Sequence, residues 1–151
     1  MSAVIDASVL VAALVDSDQD GQWAEAAIAQ GQLAAPEVAM AEATNILRRM
    51  EQSGQVSRVV ATASFRDLLR LDVELYPFAP LAERIWELRP NVTCYDAWYV
   101  ALAEALNNPL FTLDRRLSKA SGVQCEMVVP PVSHGGGGCG RRPYRCGHCL
   151  R

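Results

Sequence analysis

Short apolar runs that end on an aspartate, alternating with longer stretches of helical period, constrain this 151-residue chain more than any other feature. Ala3-Val4-Ile5 is one such run, closed by Asp6; Leu110-Phe111-Thr112-Leu113 is another, closed by Asp114. Leu33-Ala34-Ala35, the alternating stretch 72–78 and the segment 123–129 are further candidate strands. Helical spacing marks residues 9–15, 23–30, 37–52, 56–71, 81–88 and 91–106, and a short basic helix follows at 115–120. Ser8 is a candidate cap for the first helix and Pro36 a first-turn residue of the third. Strands that alternate with helices predict an α/β fold around a parallel sheet of about four to five strands.

The stretch 91–106 carries the strongest helix signal. Tyr95, Tyr99, Leu102 and Leu106 recur at helical spacing, with Trp98 beside them, so one face is strongly apolar. Thr93 is a good N-cap, because its hydroxyl can accept from an unpaired first-turn amide. Asp96 falls three residues later, at the positive end of the helix dipole. It either complements that dipole or is presented at the rim of a core.

Charge and cysteine usage divide the chain in two. Residues 1–133 carry 10 basic against 17 acidic residues, a formal net charge of −7. That is the wrong sign for broad phosphate neutralisation, so a nucleic-acid ligand would need locally concentrated cations or a metal. Residues 134–151 hold four arginines and no acid, with Cys139, Cys146 and Cys149 after a glycine run. One Cys-x₂-Cys pair in a segment with almost no core falls short of a zinc knuckle. The tail reads as disordered or non-native, and residues 1–133 as the functional domain. Cys94 and Cys125 read as small core residues. The Asp16/Asp18/Asp20 spacing suggests a calcium loop, but Ala27 stands where its closing glutamate is needed. No apolar run approaches the ~18–20 residues of a membrane span, and the start lacks a basic signal-peptide region, so a cytoplasmic location is expected.

Four carboxylates share a structural logic. Asp6 and Asp114 end strands, Asp96 opens a helix, and Glu42 rides a helix beside its apolar stripe. Each has an ordinary explanation: a turn aspartate, a strand terminus, a dipole partner, an exposed glutamate near Arg49. If the strand ends are neighbours, all four can converge on one cleft. Clustered carboxylates repel unless a cation neutralises them, and Mg²⁺ or Mn²⁺ suits oxygen ligands. Such a site can promote displacement at a phosphodiester. No histidine lies in residues 1–133, so base chemistry would fall to a carboxylate or to metal-activated water. Ser8 and Thr112, each two residues from an acid, can bond a carboxylate.

The segments Val4-Ile5-Asp6-Ala7-Ser8-Val9-Leu10, Ala41-Glu42-Ala43-Thr44-Asn45-Ile46-Leu47-Arg48-Arg49, Tyr95-Asp96-Ala97-Trp98-Tyr99-Val100-Ala101-Leu102-Ala103-Glu104 and Phe111-Thr112-Leu113-Asp114-Arg115-Arg116-Leu117 resemble, in order, the four acidic motifs of PIN-domain ribonucleases. The VapC toxin branch is the most similar. The resemblance implies a PIN-like fold and a Mg²⁺- or Mn²⁺-dependent endoribonuclease of a type II toxin–antitoxin system. It also implies a homodimer neutralised by a VapB-type antitoxin whose tail lies in an apolar groove. Asp6, Glu42, Asp96 and Asp114 match the family's acids, with Asp114 acting directly or through water, and Arg115 and Arg116 are candidate phosphate contacts. The alternative is a catalytically silent PIN-like module that binds RNA or protein. A haloacid-dehalogenase-type phosphatase would need Asp-x-Asp after the first strand, where this chain has Asp6-Ala7-Ser8.

Overall fold

The alternation resolves into five strands, all paired in parallel. In the computed structural model, which describes residues 2–132, they are β1 (Ser2–Ile5), β2 (Gln32–Pro36), β3 (Val73–Tyr76), β4 (Leu110–Phe111) and β5 (Met127–Val128). The glycine- and cysteine-rich tail, with its disorder and zinc readings, lies outside the described residues. The helices are α1 (Ala7–Val15), α2 (Gln19–Ile28), α3 (Val38–Gln52), α4 (Arg58–Leu68), α5 (Ala82–Leu88) and α6 (Cys94–Leu106).

Strand order is β3-β2-β1-β4-β5. The chain therefore starts in the middle, builds outward on one side, and then crosses to build the other. That reversal puts β1 and β4 side by side at the switch point of the sheet, where open α/β folds leave a crevice beyond the strand ends. Ile5 stands opposite Phe111, and the Asp6 amide donates to the Phe111 carbonyl at 3.0 Å.

Both sheet faces are covered, as expected of parallel strands. Val4, Ala34 and Leu110 point into a core built with Ile85, Leu88, Val100 and Leu102 of α5 and α6. Their neighbours Ala3, Ile5, Leu33 and Phe111 point the other way, into a core shared with α1, α2, α3 and α4. The period-two switch of side chains gives β1, β2 and β4 two buried faces, while β3 and β5 at the sheet edges are only partly covered.

Several local expectations need correction. Helix α1 begins at Ala7, so Ser8 lies inside it and does not cap it. Pro36 is the last residue of β2, paired with Tyr76, and α3 starts two residues later. The basic segment after Asp114 is a single 3₁₀ turn, Leu117–Lys119. Cys94 is exposed and Cys125 only half-buried, because Cys94 opens α6 at the surface. On α4 the apolar residues Val59 and Leu69 are 78% and 61% exposed, while Ala61, Ser64 and Leu68 make the contacts with the core. Gly21 owes its identity to packing: a Cβ there would meet the Asp16 carbonyl oxygen at 2.1 Å. Among the described residues, no helix is long and apolar enough to cross a membrane.

Helix α6 is fixed at both ends. Thr93 accepts from the Asp96 amide at 3.2 Å, and Asn107 ends the helix in the left-handed region, φ 50°. Near its carboxyl end Glu104 accepts from Arg84 Nε at 2.6 Å, Arg84 Nη2 at 3.1 Å and the Gln124 amide at 2.8 Å. Arg84 Nη2 also donates to the Gly122 carbonyl at 2.7 Å. This fork joins α5, α6 and the approach to β5, and only 13% of the Glu104 side chain is exposed. Glu104→Ala removes three charge-assisted hydrogen bonds at once, while Arg84 keeps Gly122 and Glu87, so it should lower the unfolding free energy by about 2–3 kcal/mol. Asp67→Ala breaks a pair with Arg70 whose side chains are 55% and 77% exposed. It should cost less than about 1 kcal/mol, and urea titration of the two variants checks the difference.

Candidate active site

Asp6 sits where β1 turns into α1, and it is 3% exposed. It occupies the N-cap position, yet no first-turn amide closes a full capping bond on its carboxylate, although the Ser8 amide lies near enough to steady the charge. Two hydroxyls hold it instead. Thr112 Oγ1 donates to Oδ2 at 2.7 Å and Ser8 Oγ donates to the same oxygen at 3.0 Å. Oδ1 is buried and has no hydrogen-bond partner among the described residues. An orphaned carboxylate oxygen is costly to bury, and its remedy is a proton or a cation.

Three of the four acids act on one another electrostatically. Burial, with the Asp96 charge adding to it and the Thr112 bond opposing it, lifts Asp6 from the ordinary 3.8 to about 6. Burial, followed by the charges of Asp6 and Asp96, lifts Glu42 from 4.5 to about 7, against a bond from Tyr99 and the charge of Arg49. Asp96 lies in the first turn of α6, half-buried, where the capped helix terminus aims its dipole.

Asp114 belongs to the same strand end by a different route. Its amide donates to Thr112 Oγ1 at 3.0 Å, so one threonine hydroxyl links it to Asp6. Its carboxylate turns toward Arg116, accepting from the Arg116 amide at 2.8 Å and lying 3.6 Å from Nε. Arg116 is 70% exposed. Arg115, by contrast, donates through Nη2 to the carbonyls of Pro130 and Pro131 at 2.6 and 3.2 Å. Its guanidinium fastens the segment after β5.

Among the described residues, no three His, Cys, Asp or Glu side chains close around a single point as a finished coordination sphere. The donor set nonetheless suits a hard divalent ion: carboxylate oxygens, one of them buried and without a hydrogen-bond partner among the described residues.

Tyr99 is the polar contributor that the sequence pattern conceals. Read from spacing it is an apolar-face residue, and it is 1% exposed. Its hydroxyl donates to Glu42 Oε2 at 3.2 Å. Burial, then the Asp6 and Glu42 charges, hold the phenol well above 10, so it remains a donor. The one available signal was its position three residues after Asp96, on the same side of α6.

The raised Asp6 value has a defined consequence for metal-free protein. In the unfolded chain Asp6 ionises near 3.8, and in the folded protein near 6. Between these values the folded state binds more protons, so stability falls as pH rises through this window and stays lower above it. Asp6→Asn removes the penalty and keeps an acceptor for Ser8 and Thr112. In EDTA at about pH 7.5 the variant should be more stable than wild type by about 3 kcal/mol, a gain that largely disappears near pH 4. Scanning calorimetry at both pH values checks this; an equal gain at both would contradict it.

Comparison with known proteins adds an independent line. Residues 3–123 match the PIN domain family. Over 128 residues the chain is 43% identical to Ribonuclease VapC9 of Mycobacterium tuberculosis, covering 85% of this chain and 98% of that protein. Among solved structures it resembles VapC20 of Mycobacterium tuberculosis, described as a sarcin-ricin loop cleaving toxin. The TM-score is 0.61 at 18% identity, over 82% of this chain and 97% of that one. VapBC2 from Rickettsia felis, bound to a DNA fragment from its promoter, gives a TM-score of 0.59 at 16% identity, over 84% and 98%. The two structural likenesses carry the fold alone. The identity that runs almost the whole length of VapC9, together with the match across 3–123, decides the question: this chain belongs to the PIN-domain family, in its VapC branch.

Proposed function

We propose that this chain is a metal-dependent endoribonuclease toxin that hydrolyses RNA phosphodiester bonds. The observation that carries the reading is the mutual electrostatic strain of Asp6, Glu42 and Asp96 at the carboxyl end of β1, in a chain 43% identical to a VapC ribonuclease.

Mg²⁺ or Mn²⁺ is the cofactor in this reading, held by Asp6, Glu42 and Asp96, with Asp114 contributing directly or through water. When bound, such an ion activates water and stabilises the attacking and leaving oxygens of a phosphodiester. The chain's own residues prepare the site. Ser8 and Thr112 fix one oxygen of Asp6 and leave the other open. Thr93 caps α6 and so fixes the turn that carries Asp96. Arg116, exposed beside Asp114, is the better-placed candidate for an RNA phosphate, since Arg115 is engaged with the chain at 130 and 131.

A VapB-type antitoxin, a homodimer and a cytoplasmic setting complete the proposal, with catalysis assigned to residues 1–133. The net charge of −7 over that domain favours a basic partner segment. Exposed Val59, Val60 and Leu69 on α4 give a partner apolar surface to cover.

The direct test is cleavage of a mixed RNA pool by antitoxin-free protein with Mg²⁺ or Mn²⁺, with EDTA, and with Asp6→Asn or Asp96→Asn. Cutting should require metal and fall by about a hundredfold or more in each variant. The variants should still bind the antitoxin, because neither substitution alters the apolar surface of α4. Wild-type cutting by either one would show that the metal-site assignment is wrong.

A further inference from the structure

Tyr99 lies in the core between α6 and the sheet, and a phenylalanine would fill nearly the same space. A tyrosine buried this deeply must place its hydroxyl on a partner or lose the bond it had with water. It engages two. The hydroxyl donates to Glu42 Oε2 at 3.2 Å, and its oxygen takes a hydrogen bond from the Ala7 backbone.

Those partners connect all three strained acids. Ala7 follows Asp6 directly, Glu42 is bonded outright, and Asp96 is one turn back on the same helix. Glu42 is also the acid with the longest and most flexible stem. It reaches the site from α3, 57 residues before Tyr99, into the field of two other carboxylates. Repulsion would swing such a side chain outward, and an ordered hydroxyl opposes that. Groups that orient metal ligands without touching the metal typically change affinity by about 10–100-fold.

We propose that Tyr99 is a positioning residue of the metal site, its hydroxyl pinning the Glu42 carboxylate beside Asp6 and Asp96 before the cation arrives. The inference rests on the reading that these three acids hold the metal. It adds a buried phenol as the group that assembles them.

The test is Tyr99→Phe, with fold confirmed by circular dichroism and Mn²⁺ affinity measured by calorimetry without RNA. Affinity should fall by about tenfold. In cleavage assays kcat should drop while KM for RNA stays within about twofold, because the phenol is buried away from substrate. In a Glu42→Gln background, Tyr99→Phe should cause no further loss of Mn²⁺ affinity. Wild-type affinity in Tyr99→Phe, or an undiminished loss in the Glu42→Gln background, overturns the proposal. A measurement on unmutated protein covers the case in which Tyr99→Phe does not fold. The Tyr99 hydroxyl or ring resonances should shift in NMR spectra on adding Mg²⁺, and unmoved resonances count against the pin. Asp96→Asn, run in parallel, separates the two levels. If it binds Mn²⁺ and cuts RNA like wild type, the metal-site reading falls and the pin with it. If Asp96→Asn is inactive while Tyr99→Phe is normal, only the role of Tyr99 falls.

Discussion

The hydrogen bond from Thr112 to Asp6, 2.7 Å long and fully buried, is the contact on which the rest of the site depends. It crosses between the two central strands and saturates one oxygen of Asp6, with help from Ser8. The other oxygen is buried and has no hydrogen-bond partner among the described residues. A carboxylate treated this way is poised electrostatically, because burial raises its free energy when charged and offers no internal remedy. The same threonine oxygen accepts from the Asp114 amide, so the strand end carrying the fourth acid is set by the atom that sets the first.

The sheet explains how acids scattered over 109 residues (6 to 114, both included) are carried to neighbouring strand and helix ends, with Asp6, Glu42 and Asp96 within one another's field. Starting the chain at the central strand brings the end of β1 beside the end of β4. Helix α6 contacts β1, β2 and β4, and its capped amino end carries Asp96. Helix α3 follows β2, the neighbour of β1 on the opposite side, and carries Glu42 past the same edge. The resulting arrangement stores repulsion rather than stability. A cation held there would relieve that repulsion, so function and stability would draw on the same groups.

What the sequence made legible was whatever depends on neighbours along the chain. The β-branched run before Asp6, the Thr93 cap and the five alternating strands follow from local spacing, and the structure contains all of them, although β4 stops at Phe111 and leaves Asp114 three residues beyond its strand. Contacts between distant segments were not legible. Tyr99 reads as an apolar residue because its partner Glu42 is 57 positions away. Arg115 reads as a free cation because the carbonyls it holds come 15 and 16 residues later. Helix α4 shows a limit of periodicity: helical spacing over 56–71 marks a helix but not which side the fold covers, and Val59 and Leu69 are left in solvent. Cys94 was misplaced for the same reason, since one residue outside a helix's buried arc is enough to expose it.

The measurement that bears most directly on the central claim is anomalous diffraction from crystals of the protein soaked in Mn²⁺. The expected result is a peak at about 2.0–2.2 Å from Asp6 Oδ1, shared with Asp96, while Thr112 and Ser8 keep their bonds to Oδ2. A fully occupied Mn²⁺ site elsewhere, with Asp6 Oδ1 still unpaired in a protein that cuts RNA, would contradict it.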